Sequence, residues 1–336
     1  MKIVHLVLTH SFAGSERYAA ELANLHAQHH EVAMILHRRG AEERANAIVQ
    51  HLDPKVRIHL VSGPKWLASW RARRLIRQLE PDVAHAHLSA ACKALKGIGK
   101  HILCVASLHL RYKPGQHAHM DALVAVAPWQ LAEIPPLLRQ RSRQIDNWTI
   151  AAAPAVDARA KLREQWGVSD ADFVVGTLGR VEANKGHEVL IEAFRAAAIP
   201  DTRLVIVGKG KALEQLQQSA AADVVLAGFS SRPQDCYAAF DGFASSARAE
   251  SFGLVFLEAM NAGLPMVATA TEGACYLREY FVEPPVPVDD VDALAAAIKT
   301  LVAQGKQRID YPMQRFSPAD RAQEIIDFYR QQLSGN

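Results

Sequence analysis

With 336 residues and a formal net charge of +3, the chain has room for two domains of ordinary size, each burying its own core. Its four cysteines, Cys92, Cys104, Cys236 and Cys275, form no CxxC pair, which excludes a disulfide framework and a cysteine-based zinc site and fits a reducing, cytoplasmic setting. The charge is unevenly placed: residues 1–150 hold 20 Lys or Arg against 11 Asp or Glu, together with 14 of the 15 histidines, so the first half suits an anionic partner, and no nucleic-acid partner is expected.

The opening segment, Met1–Leu8, is too short and too interrupted by His5 for a signal peptide, and it reads as a buried strand. No apolar run in the chain reaches membrane-spanning length. Short apolar runs at 2–8, 31–36, 57–61, 82–86, 102–107 and 122–126 alternate with helix-period stretches such as 16–29, 65–79 and 129–140. That alternation predicts βαβ units and a parallel sheet. The pattern pauses at 151–157 and restarts, with strands expected at 173–178, 203–207, 223–227, 242–246 and 265–269 and helices continuing through 303. The cluster Pro284-Pro285-Val286-Pro287 reads as an extended loop, because proline breaks both helix and ladder. A final amphipathic stretch, 317–333, closes the chain. The expected architecture is α/β, two doubly wound domains with ligands at the carboxyl ends of the strands.

Several of those strand ends carry chemistry. After the first strand, Thr9 to Arg17 make a small-residue turn in which Gly14 permits close backbone approach and Ser15 is a suitable helix cap. Later, Gly179-Arg180 ends a strand and Lys185-Gly186 opens a helix, placing a planar guanidinium and a point charge where a diphosphate can be held. Gly208-Lys209-Gly210 and Gly228-Phe229-Ser230 follow two further strands; Leu213 occupies the third glycine position of a dinucleotide fingerprint, so both are read as loops that bring backbone toward a nucleotide. Then comes Glu250-Ser251-Phe252-Gly253-Leu254-Val255-Phe256-Leu257-Glu258. A helix starting near Gly253 would aim free N–H groups at a diphosphate, with Glu250 just outside its end and Glu258 beyond the first turn. The spacing also admits an incidental pair of solvated acids. As a glycosidase-type dyad the two fit poorly, since eight residues of helix rise come to about 12 Å, against about 5 Å for a retaining pair.

The ordered set Gly179-Arg180, Lys185-Gly186, Gly208-x-Gly210, Gly228-Phe229, Glu250-x7-Glu258 and Ala262-Gly263-Leu264-Pro265 resembles the family-4 retaining glycosyltransferases of the GT-B fold. The resemblance covers nearly the whole chain and is strongest from 173 to 270. It implies two Rossmann-like domains facing across a cleft: residues 1–155 for the acceptor, 156–316 for the nucleotide-sugar, and 317–336 as a helix returning to the first domain. It further implies a catalytic set of Arg180, Lys185, Glu250 and His109. Donor contacts would come from Gly14, Gly208, Gly210, Phe229, Ser230, Ser251, Phe252, Gly253, Leu254 and Glu258, with Glu250 on the sugar and Glu258 on the ribose. His109, at a strand end in Ser107-Leu108-His109, would lie near the donor sugar; its other reading is a hydrogen-bonded core histidine. The chain departs from the family pattern in having Ala13-Gly14 in place of two glycines, no Asn-Gly before Val156-Asp157, and no acidic and glycine pattern between 271 and Pro284.

The resemblance implies transfer from a nucleotide-diphosphate sugar, a UDP-sugar being the expected donor, to a lipopolysaccharide-core or lipid-linked glycan. The implied mechanism is front-face, retaining and metal-independent, with no cofactor. A sugar-nucleotide epimerase or hydrolase and a non-catalytic nucleotide-sugar-binding partner are the alternatives. Asp170-Ala171-Asp172 precedes a strand rather than following one, so it is not read as a metal motif. His85 and His87 share one strand face, and His117 and His119 are similarly spaced, but no carboxylates support them as metal ligands. On a helical wheel of 65–79, Ala68, Ala72, Leu75, Ile76 and Leu79 gather on one side and Trp66, Trp70, Arg73, Arg74 and Arg77 on the other. The second face suits an anionic membrane, which would make the protein cytoplasmic and peripheral on the inner membrane face. The competing reading packs the tryptophans under a neighbouring loop.

Overall fold

The computed structural model describes residues 1–10, 12–41, 47–99, 101–219 and 223–335. Ser11, in the first glycine loop, lies outside them. The chain forms two compact units, Met1–Trp148 with Phe316–Asn336, and Thr149–Arg315.

In the first unit the apolar runs become β1 (Lys2–Val7), β2 (Glu31–His37), β3 (Arg57–Val61), β4 (Val83–His87), β5 (Leu103–Leu108), β6 (Ala122–Ala125) and β7 (Arg143–Gln144). They form one parallel sheet in the order β3-β2-β1-β4-β5-β6-β7. The order reverses between β1 and β4, so the crossovers leave a switch point at the carboxyl ends of those two strands. The strands have two unlike faces. Val4, Leu6, Ala84, Ala86, Ala106 and Leu108 belong to an apolar cluster with Ala68, Ala72 and Ile76 of the helix Lys65–Leu79 and with Ala91, Cys92 and Leu95 of the helix Leu88–Leu95. Alternation along the same strands assigns His5, His85, His87 and Ser107 to the opposite face, and all four are buried. That face is met by Tyr18 and His26 of the helix Gly14–His26 and by Tyr329 of the terminal helix Pro318–Ser334.

The second unit repeats the plan with β8 (Phe173–Leu178), β9 (Thr202–Val207), β10 (Val224–Gly228), β11 (Gly242–Ser245) and β12 (Met266–Ala268). All are parallel, in the order β10-β9-β8-β11-β12, with the switch point between β8 and β11. Val175, Leu204, Ile206, Ala244 and Val267 pack with Leu190, Ile191 and Phe194 of the helix His187–Ala197 and with Leu294, Ile298 and Leu301 of the helix Val291–Ala303. The proline cluster is extended and makes a single parallel bridge, Thr269 to Val286.

The structure corrects three local readings. The expected helix 129–140 is two short ones, Pro128–Glu133 and Pro136–Arg139, because Pro135 cannot donate and carries the chain through an extended turn. The first helix is capped at Ala13, with Gly14 as its first residue, so Ser15 is not the cap; Glu16 reaches back to accept from the Ala13 N–H at 3.2 Å. The two-residue strand β7 has no apolar run to announce it.

Candidate active site

The phosphate- and sugar-handling residues anticipated in the second unit lie in the loops after β8 to β11, except Leu254 and Glu258, which lie on the helix Leu254–Asn261 that follows β11. The loops there are knitted by backbone bonds. Gly208 N–H donates to the Gly228 carbonyl at 2.7 Å, Val181 N–H to Lys209 at 3.0 Å, and Ala212 N–H to Val181 at 3.0 Å. Gly208 and Gly228 thus join the ends of β9 and β10, and Val181 with Lys209 joins the loops after β8 and β9. Phe229 is 58% exposed, with the Lys209 ammonium 4.3 Å from its ring centroid. Ser230 accepts from the Arg232 N–H at 3.1 Å.

At the switch point, Lys185 Nζ donates to Glu250 Oε2 at 2.7 Å, and each side chain is about one-fifth exposed. Lys185 follows β8 and Glu250 follows β11, so a pair 65 residues apart in sequence is brought together by strand order alone. The loop carrying Lys185 is fixed from below. Ser246 Oγ donates to the Lys185 carbonyl at 3.0 Å, and Arg248 N–H donates to Asn184 at 2.9 Å while its guanidinium pairs with Glu188 and Asp289, each at 2.7 Å. Gly186 sits at φ +59°, and a Cβ there would stand 2.3 Å from the Ser246 carbonyl oxygen. Only glycine fits that approach. Arg180 lies farther out, 60% exposed and paired with Glu182 at 2.8 Å.

Beyond Glu250 the chain turns at Gly253, φ +94°, which caps the helix Leu254–Asn261. The first N–H groups of a helix have no intrahelical acceptors, so this start is an anion-binding end. Phe252 is buried and packs edge-on against Tyr276 at 5.9 Å; the Gly273 N–H donates to the Glu250 carbonyl at 2.8 Å. Glu258 is held by the Tyr237 hydroxyl at 2.8 Å. The helix begins only at Leu254, so the 12 Å of continuous helix rise does not apply to the two carboxylates; they are held by different partners, Lys185 and Tyr237. Sequence reasoning missed Arg248, Ser246 and Tyr237, because nothing in their local pattern shows that they brace Lys185 and Glu258.

In the first unit, His109 follows β5 and is half-buried, with Nε2 3.3 Å from His87 Nδ1. Burial, and then the neighbouring His117, push its pKa down to about 4. Gly14 starts the helix after β1. Asp172 accepts from the Ser169 N–H at 2.8 Å, a turn that starts β8. The set expected to face a membrane is mixed. Trp66 and Trp70 are 73% and 52% exposed, which removes the reading that buries them under a loop. Arg74 is exposed, whereas Arg73 donates to the carbonyls of Lys93 and Ala94 and Arg77 to that of Gly97, so these two arginines also tie down the end of the next helix.

Two doubly wound parallel α/β units, each with a switch point at its strand ends, are the architecture of the GT-B fold class. Sequence comparison agrees: residues 12–175 match the model described as Glycosyltransferase Family 4, and residues 172–304 the model described as Glycosyl transferases group 1. The lipopolysaccharide core biosynthesis glycosyltransferase LpsD of Rhizobium meliloti is 28% identical over 318 residues, 90% of this chain and 88% of that protein. LpsE of the same organism is 27% identical over 320 residues, covering 92% and 91%. A GDP-mannose-dependent alpha-(1-6)-phosphatidylinositol monomannoside mannosyltransferase of Mycolicibacterium smegmatis is 36% identical over 172 residues, 46% of this chain and 45% of the relative. Among solved structures, Anabaena Alr3699/HepE in complex with UDP and glucose superposes with a TM-score of 0.80 at 21% identity, over 98% of this chain and all of that one, a likeness of fold. The chain belongs to the family-4 glycosyltransferases of the GT-B fold and is a transferase.

Proposed function

We propose that the protein transfers a sugar, with retention, from a UDP-sugar to a lipopolysaccharide-core or lipid-linked glycan acceptor, without a metal ion. The observation that carries this reading is the Lys185–Glu250 pair beside the Gly253 helix start. Lys185, Arg180 and the first N–H groups after Gly253 take the charge that gathers on the departing diphosphate. Glu250 orients the donor sugar, and Glu258, held by Tyr237, takes the ribose hydroxyls. The anomeric carbon's bond to the diphosphate oxygen breaks, the acceptor hydroxyl attacks on the same face, and its proton passes to that departing oxygen. Stabilisation of the leaving charge by fixed cations and dipoles supplies the main acceleration.

The acceptor class is supported by the names of LpsD and LpsE, and the donor by the nucleotide in the HepE complex. The GDP-mannose-dependent relative makes GDP-mannose the first competitor. Trp66, Trp70 and Arg74 dock the basic first unit on an anionic membrane surface, which makes the protein peripheral on the cytoplasmic face; no helix among the described residues is long and apolar enough to cross a membrane. A thermal-shift and hydrolysis screen against UDP-, GDP- and ADP-sugars tests the donor. Stabilisation and turnover confined to UDP-sugars is expected. A response to GDP-sugars alone overturns the nucleotide assignment, and no response to any of them overturns the enzyme reading. Activity lost in a chelator and restored by Mg²⁺ or Mn²⁺ would refute metal independence.

A further inference from the structure

Four histidines of the first unit form a chain with a direction. His26 Nδ1 lies 3.2 Å from His5 Nε2, His5 Nδ1 3.1 Å from His87 Nε2, and His87 Nδ1 3.3 Å from His109 Nε2. Every link joins Nδ1 of one ring to Nε2 of the next. The successive ring centroids are 5.3, 5.4 and 5.5 Å apart, with interplanar angles of 34°, 25° and 33°. The rings therefore meet edge to edge in nearly shared planes, as N–H···N bonds require.

A neutral imidazole has one donor and one acceptor nitrogen, so only two arrangements satisfy all three links. In the first, every ring carries its proton on Nδ1 and donates forward, leaving His109 with an outward Nδ1–H. In the second, every ring carries it on Nε2 and donates backward, leaving His109 Nδ1 bare and His26 with a buried Nε2–H. In either arrangement the three links require all four rings to share one tautomer, so the state of His109 is tied to that of His26, which is 2% exposed.

His5, His85 and His87 also bring one ring nitrogen each within 4.8 Å of one another, which is the spacing of a metal site. Ring geometry argues for the relay instead. His85 and His87 stack face to face at 4.4 Å and 23°, so lone pairs lying in near-parallel planes do not converge on one ion. Both His85 nitrogens are also engaged, Nδ1 with the Tyr329 hydroxyl and Nε2 with Ser107 Oγ at 2.9 Å. Directly after His87, Leu88 is held at φ +69°, a strained conformation for a bulky side chain that marks this strand end as tightly specified.

We propose that His26, His5 and His87 are positioning residues whose relay holds His109 neutral and in the one tautomer the four rings share, toward a sugar hydroxyl. The proposal rests on the reading that His109 meets the reacting sugar. Side-chain ¹⁵N–¹H correlation spectra of the full-length protein, free of nucleotide, test the relay without any activity assay. All four rings should show one and the same tautomer. A His109 whose tautomer differs from that of His87, or a cluster whose nitrogen signals change when a chelator is added, overturns it.

Two variants extend the test to function. His87→Gln keeps both links, since its amide offers one acceptor and one N–H donor in place of the two ring nitrogens; the His109 tautomer and turnover should be retained. His87→Phe removes both, and should give a mixed His109 tautomer and a several-fold fall in turnover. An unchanged tautomer in His87→Phe refutes the relay. Absence of turnover by the unaltered protein with every nucleotide-sugar refutes the glycosyl-transfer reading instead, and leaves the spectra to decide the relay.

Discussion

The two units share one strand plan but place their polar groups differently around the switch point. In the second unit, β8 and β11 carry no charged or titratable side chain, and charge begins only in the loops beyond, where Lys185 meets Glu250. In the first unit the polar groups lie within the strands: His5 is paired in register with His85, and Val7 with His87, so histidines occupy the buried face itself. A parallel sheet covered on both faces ordinarily reads as a continuous apolar run. The first unit breaks that rule, and the imidazoles remain acceptable because they are neutral and bonded to one another. One unit carries its charges in the loops at its strand ends; the other holds a buried network that tolerates no charge.

Acid should separate the units most strongly. Burial pushes His5 down to about 3, His109 and His117 down to about 4, and His26, His85 and His87 well below the ordinary value, all in the first unit, whereas in the second His187 goes down to about 4. A lowered histidine pKa means that the unfolded chain binds the proton first. The stability these groups contribute is present above about pH 6.5 and is lost as pH falls toward about 3–4, at up to about 1.4 kcal/mol per pH unit for each proton taken up. Hydrogen exchange at pH 7.5 and 5.5 should show the first unit opening well before the second. Equal loss in both units would erase the comparison.

Lys185→Ala comes next, with turnover expected to fall roughly 100- to 1,000-fold while the melting temperature changes little, as for removal of one preorganised donor. Gly186→Ala is smaller and of another kind. Its Cβ would strike the Ser246 carbonyl at a left-handed φ, costing about 1–3 kcal/mol in urea unfolding and shifting Lys185 with the loop. The smallest effect on stability belongs to Trp66→Ala with Trp70→Ala, since both side chains are exposed. Sedimentation with anionic vesicles should nonetheless fall several-fold, and unchanged binding would sink the membrane assignment.

Legibility followed the same division. In the second unit the candidate residues cluster where an apolar run stops, a signal that lies along the chain, so Arg180, Lys185, the glycine loops and Glu250 to Glu258 could be picked out one after another. Their braces could not. Tyr237 reaches Glu258 across 21 positions, and Arg248 reaches Glu188 across 60, each over a crossover connection. In the first unit the face-sharing of His85 and His87 was readable from their i, i+2 spacing, yet His5 and His26 gave no sign of joining them.

By itself the sequence determined the alternation of strands and helices, the two doubly wound sheets, and the residue types at each strand end, because hydrophobic period and chain-breaking residues act over a few positions. Only the tertiary structure decided which strands become neighbours. The order β2-β1-β4-β5 set His5, His87 and His109 side by side, and β9-β8-β11 brought Lys185 to Glu250, because crossovers through helices choose strand neighbours by packing rather than by any local pattern.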